Sequence, residues 1–204
     1  MKKRILSLAL SAAMALTMLP TGAFAASDKG KPPVYNKATG CYEISTPDQL
    51  LYLSGSWRDG APRDGHYVLT ADIDMTGVKG FKPIASKKDQ GFTGTFDGQF
   101  HAIKGLRVEY EKKYAGLFGY VGNQDDQAYI KDVALLDCYV TGQQNVGALA
   151  GVNYGTITGC VVTGEVKCLD LSNSHTAGGI CGKLKEGEGP IVGHVEDCYV
   201  NADV

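Results

Sequence analysis

Residues 146–164 read VGALAGVNYGTITGCVVTG. A short apolar segment with a small residue at every second or third place closes on Gly151. A turn, Asn153-Tyr154-Gly155, follows, and a strand pattern rich in Val, Ile and Thr ends the stretch. Branched residues between glycine punctuation favour short strands over helix. One such unit holds too few apolar side chains to close a core alone, so copies must share one.

Related segments lie on either side. Residues 114–120 (YAGLFGY) and 177–183 (AGGICGK) align with 146–152, placing Leu117, Leu149 and Ile180 at intervals of 32 and 31 residues. The second strands align as DCYVTG from Asp137, GCVVTG from Gly159 and DCYVNA from Asp197, at intervals of 22 and 38. Loops of unequal length intervene, at residues 124–127 and 185–190. Repeated local sequence at periods of this kind predicts an all-β parallel β-helix, or β-solenoid, in which neighbouring coils pair about 4.8 Å apart and loops leave at the corners. An antiparallel sandwich is the competing architecture. It would place Leu149 and Ile180 on separate sheets, whereas the solenoid predicts parallel pairing of 146–152 with 177–183 and burial of both residues.

Upstream, Thr46-Pro47 with Gln49 reads as a capping box. Leu50, Leu53 and Trp57 then recur at helical spacing. A short helix there is expected to cover the first coil, because a solenoid end exposes core and strand edge. Residues 67–75 (YVLTADIDM) and 92–106 (FTGTFDGQFHAIKGL) read as strands, the latter around the turn Asp97-Gly98.

At the N-terminus, Lys2-Lys3-Arg4, an apolar run over 5–19 and Ala23-Phe24-Ala25 form a secretory leader cut after Ala25. The domain plan is a signal peptide over 1–25, a flexible linker over 26–40 with the polar, proline-ended ASDKGKPP at its start, and a repeat domain over 41–204. Three of the 20 basic residues belong to the leader, leaving 17 against 22 acidic ones. That balance gives no basic surface for nucleic acid, and nothing after the leader is long and apolar enough to span a membrane.

The repeats resemble the GLUG repeat of bacterial surface proteins, whose units run V-G-G-L-V-G, a turn, then T-I-x-N-C-Y-A-T-G. Residues 146–164 match a whole unit in order, and 177–182 with 195–200 form a looser second one. Residues 42–53, 67–75 and 92–106 resemble the segments that open such domains. Phe100 stands where glycine is usual, Thr158-Gly159 replaces Ser/Thr-Asn, and 185–190 is an insertion. The resemblance implies a secreted or cell-surface protein, as in adhesins and the non-catalytic regions of immunoglobulin-A-specific metallopeptidases. It implies no common catalytic activity.

The residues agree with a non-enzymatic reading. The zinc-peptidase pattern His-Glu-x-x-His, a G-x-S-x-G elbow and a phosphate loop are missing from the sequence. His66, His101, His175 and His194 are dispersed, and His101 reads as a turn or strand-face residue. Asp72, Asp74 and Asp97 form the best acidic set, the first two at strand spacing on one side. Calcium on such a face is the alternative to plain solvent-facing polarity, and the simpler reading is preferred. No catalytic, cofactor or metal residue is therefore assigned.

Cys138, Cys160 and Cys198 fall at the same place in the DCYV-like strands, which reads as a ladder of buried thiols. Cys168 with Cys181 is the pair to expect if a bridge forms, and Cys41 has no evident partner. Among 11 tyrosines, which include Tyr110, Tyr114, Tyr120, Tyr129 and Tyr154, those that are exposed would offer faces for a glycan or protein, and many are expected merely to flank the core. The functional expectation is an exported scaffold that binds a glycan or protein of a host or neighbouring cell. Alternatives are an accessory region of a larger surface peptidase or a polysaccharide-active β-helix enzyme. Because residues 197–204 alternate like a core strand with no cap after them, the chain is expected to be part of a longer protein and to associate when made alone.

Overall fold

The computed structural model describes residues 30–55, 61–170, 176–185 and 192–204. The leader, Trp57, His175 and most of the 185–190 insertion lie outside these residues. Helix α1 (Pro47–Leu53) forms where the capping box places it. The Gln49 amide N–H donates to Thr46 Oγ1, and Gln49 Oε1 accepts from the Thr46 and Ser45 amides at 3.1 and 2.7 Å. Leu50, Leu51 and Leu53 are buried in the same apolar cluster as the first strands. Among the described residues no helix is long and apolar enough to cross a membrane.

The rest is predominantly β, in parallel stacks that close no barrel among the described residues. The first stack holds β2 (Cys41–Ile44), β3 (His66–Leu69), β5 (Thr95–Asp97), β9 (Tyr129–Lys131), β12 (Thr156–Thr158) and β16 (His194–Glu196), with β1 (Val34–Asn36) antiparallel on its outer edge. The second holds β4 (Ile73–Asp74), β6 (Ala102–Lys104), β7 (Arg107–Ala115), β10 (Ala134–Gly147), β13 (Val161–Cys168), β14 (Ala177–Gly178) and β17 (Tyr199–Asp203). The third holds β8 (Phe118–Val121), β11 (Ala150–Asn153) and β15 (Cys181–Leu184), extended by bridges from Ile84 to Phe118 and from Phe92 to Val121. The chain visits the stacks in one cyclic order: β5, β6 and β7, β8; then β9, β10, β11; then β12, β13 and β14, β15; then β16 and β17.

Register makes the core. Tyr67, Phe96, Ile130 and Ile157 stack in the first sheet path, and Ile73, Ile103, Leu135 and Val162 in the second; all are buried. Each such side chain contributes about 1.5–3 kcal/mol by burial. In the third stack Phe118, Ala150 and Cys181 align, and Leu117, Leu149 and Ile180 lie one place earlier. The Leu149 N–H donates to the Ile180 carbonyl at 3.0 Å, and the Leu117 N–H to the Ala148 carbonyl at 2.9 Å. Leu149 and Ile180 are both buried, and 146–147 pairs with 177–178 in parallel, as the repeat alignment predicts. A Cβ on Gly147 would stand 2.5 Å from the Cys181 Cα, so a side chain there would push adjacent turns apart.

The second strands align differently from the sequence reading. Ala134 and Leu135 pair with Val161 and Val162, which pair with Tyr199 and Val200. Cys160 and Cys198 are therefore equivalent, but Cys138 is opposite Gly164, beyond an irregularity in β10. The misalignment has a backbone cause. Asp137 (φ 52°) and Asp197 (φ 49°) are both left-handed and both precede a cysteine, yet Asp137 sits inside a long strand and Asp197 at a corner. The true corner set is Asp132 (φ 53°), Gly159 (φ 62°) and Asp197. Asp and Gly tolerate this region better than branched residues do, so Gly159 in place of Asn leaves the corner intact.

Two further expectations are corrected. The segment read as linker is not loose up to residue 40: Val34–Asn36 pairs with Cys41–Ile44, and the Tyr35 and Tyr42 rings lie 4.9 Å apart between centroids. Cys168 and Cys181 do not bridge. They lie in different stacks, and Cys168 Sγ contacts the Gln143 and Asp170 carbonyls.

Leu149→Ala is expected to lower unfolding free energy by about 2–5 kcal/mol, measured by urea denaturation. Leu184→Ala, at an exposed position of β15, should change it by no more than about 0.5 kcal/mol. Equal effects would contradict the shared core.

Candidate functional site

The corner between the third and first stacks is where loop length varies, and there the surface opens into a cleft of about 210 Å³. Its lining is Arg63, Lys88, Asp89, Asn123, Gln124, Asp125, Asp126 and Tyr154. Gly122 (φ 73°) ends β8 and donates to the Phe92 carbonyl at 2.6 Å. Asn123 then folds the loop onto itself: its Oδ1 accepts from the Asp125 and Asp126 amides at 2.7 and 2.8 Å, and its Nδ2 donates to Asp126 Oδ2 at 3.2 Å. Such a side-chain turn holds a polar loop without a core. On the facing side, Arg63 Nη1 donates to the Asp89 carbonyl at 3.2 Å, and the Arg63 carbonyl accepts from Thr93 and Gly94.

Tyr154 backs the cleft. Its amide donates to the Val121 carbonyl at 2.7 Å, and its side chain is buried with Tyr120 and Val152, with Tyr114 against them. The Tyr114 and Tyr120 rings are 4.7 Å apart between centroids, and the Lys185 ammonium lies 6.0 Å from the Tyr154 ring. Burial raises the ionisation of Tyr154, and burial with a hydrogen bond to Tyr114 raises that of Tyr120, so both phenols stay neutral at physiological pH. The site thus offers guanidinium and ammonium donors, three carboxylates, two amides and a phenol around an aromatic wall. This arrangement suits a ligand whose groups both donate and accept, as the hydroxyls of a sugar do.

The acidic set singled out in the sequence does not gather. Asp72 Oδ1 accepts from the Ala102 amide at 2.9 Å and pairs with His101 Nδ1 at 3.1 Å. Asp74 Oδ1 accepts from the Thr76 amide, and Asp97 meets Lys131 Nζ at 2.7 Å. Among the described residues no group of three His, Cys, Asp or Glu is placed to hold a metal ion. His66 and His194 are exposed strand residues. Of the tyrosines, Tyr129 is exposed, Tyr110 and Tyr114 are half-buried, and Tyr120 and Tyr154 are buried. From the sequence Tyr154 is one tyrosine among several and 124–127 a loop of variable length, and nothing singles out Arg63, Lys88, Asp89 or Asn123. These are ordinary polar residues until stacking brings their corners together.

No family model matches the chain. Over 151 residues it is 32% identical to halomucin of Haloquadratum walsbyi, a match covering 69% of this chain and 2% of halomucin. Over 101 residues it is 33% identical to a protein of Evansella cellulosilytica provisionally named a Gly-rich membrane protein, covering 45% of this chain and 11% of that one. The chain thus spans a small part of the length of either relative. Its fold is similar to the crystal structure of a protein from Bacteroides ovatus provisionally assigned as an immunoglobulin A1 protease, at TM-score 0.58 and 20% identity over 79% of this chain and 47% of that one.

One carboxylate near the opposite corner gives a pH test. Burial, and then the charge of Asp97, raise the Asp132 ionisation from its ordinary value, Lys131 opposing them. The folded state holds this proton to higher pH than the unfolded state, so stability falls as pH rises through the folded value. Asp132→Asn, which keeps a residue tolerant of positive φ, should therefore stabilise the protein at pH 7 and leave it nearly unchanged at about pH 3, below the unfolded value. Urea melts at both pH values check this; a difference independent of pH would refute it.

Proposed function

We propose that this chain is an exported, non-enzymatic β-solenoid built from GLUG-like repeats, which works at the cell surface by holding a glycan- or protein-binding face rigid. The observation that carries the reading is the fixed cyclic order in which the chain visits its three parallel stacks. That order leaves the strands in register while successive corners are free to differ. Arg63, Asp89, Asn123 and Tyr154 come from successive corners, and they converge only because the turns between them stack. The leader-like N-terminus, and a relative whose name places it at a membrane, support a surface location.

A second reading, an accessory region of a larger surface peptidase, is favoured by the fold likeness to the Bacteroides ovatus protein. The two separate by what is lost when residues 41–204 are excised from a longer protein carrying them. The scaffold reading expects loss of cell or glycan attachment, and the accessory reading expects reduced peptide turnover.

Cells producing the chain with its own leader should display it to added antibody, and the exported chain should bind members of a glycan array without cleaving them. Tyr154→Ala and Asp125→Ala should weaken that binding about tenfold or more, the loss expected when a ligand hydrogen bond is removed. Arg107→Ala, on a different face, should leave it unchanged. Retention inside the cell, or hydrolysis of a bound glycan, would count against the proposal.

A further inference from the structure

The last turns carry a pair of thiols that neither the cleft nor the corner geometry requires. Cys160 follows Gly159 and directly precedes β13; Cys198 follows Asp197 at the same corner one turn later and directly precedes β17. Val161 and Val162 pair in parallel with Tyr199 and Val200, and the Tyr199 N–H donates to the Cys160 carbonyl at 2.9 Å. In-register residues on neighbouring strands lie about 4.8 Å apart, inside the Cα separation of about 4.4–6.8 Å that a disulfide spans. Cys160 Sγ donates to the Thr158 carbonyl at 3.3 Å and Cys198 Sγ to the Ile157 carbonyl at 3.8 Å, so both thiols sit against the end of β12. The other cysteines are placed differently. Cys138 is offset to Gly164, Cys181 belongs to the third stack, Cys168 lies at the far end of β13, and Cys41 lies at the opposite end of the first stack.

We infer that Cys160 and Cys198 form a disulfide in an oxidising compartment, tying the last turn to the one before it. Cys160 is fully buried, whereas Cys198 is half-buried, so the oxidant reaches Cys198 first. That exposure makes Cys198 the attacking sulfur. Its thiolate attacks one sulfur of a disulfide-bearing oxidant and expels one thiol as leaving group. Cys160, giving up its proton, then attacks Cys198 Sγ and expels the second. One S–S bond forms in the protein and one breaks in the oxidant; two electrons pass to the oxidant, and the two protein protons are released to the thiols formed.

The consequence is local. Val195, Tyr199 and Val200 are 37%, 39% and 40% exposed, although their ladder partners Ile157, Val161 and Val162 are 4% exposed or less. β16 and β17 are thus less covered by packing than the strands they pair with, and a covalent tie there removes the freedom of the 160–198 loop to open.

The test is peptide mapping of the full chain exported to an oxidising compartment, its free thiols trapped by alkylation at harvest and its digest read without reduction. A linked Cys160–Cys198 peptide pair is expected, the intact mass being lower by two hydrogens and restored by dithiothreitol. Cys138→Ser should keep the link, and Cys198→Ser should leave Cys160 unlinked. Amide exchange in β17 should slow on oxidation of the native chain and not of Cys198→Ser. Alkylation of Cys198 in the exported chain would overturn the inference, as would a link from Cys198 to Cys181 or to a second chain.

Discussion

The constraint on which everything else depends is in-register stacking of inward side chains. Strands of two to five residues, such as β4, β5 and β12, have no stability of their own. They persist because Tyr67, Phe96, Ile130 and Ile157 stand over one another and the main-chain hydrogen bonds hold them there. Each turn is template and roof for the next. A slip of one residue would rotate the buried set outward, so register is fixed by the core, and the corners are free to differ as long as they return the chain in phase.

That freedom explains where polar side chains collect. Corners do not contribute to the ladders, so they carry Asn123, Asp125 and Lys88 without disturbing packing. The ladders beneath hold the corners still, which reduces the ordering that a ligand would otherwise have to impose. Tyr154 joins the two roles, packing on Tyr120 on one side and facing the cleft on the other.

What could be read in advance follows the same division. The capping box at Thr46 and Gln49 is local chemistry and is legible. So is the equivalence of Leu117, Leu149 and Ile180, because close backbone approach forces small residues around them. The DCYV alignment misled because a left-handed Asp before a cysteine serves both the irregularity at Asp137 and the corner at Asp197. Sequence similarity registered the shared local conformation and not the position in the turn. The N-terminal strand was hidden by the polar, proline-ended stretch before it. The cleft was legible only in part, since Arg63 and Asp89 lie 26 residues apart and neither has a local pattern that points to the other.

Parallel stacking also sets how far along the chain a contact reaches. Hydrogen-bonded partners are separated by roughly one circuit, as Tyr129 is from Thr156, however many circuits the chain contains. The loop closed at each step of folding is therefore one circuit long, however many circuits precede it, and growth resembles a zipper more than a collapse. Loss of structure runs the same way in reverse. The helix and antiparallel hairpin cover one end of the stack, so the turns beyond them come away one circuit at a time. A force applied along the stack would peel the turns in sequence, each release lengthening the chain by the residues of one circuit and leaving the remaining turns intact.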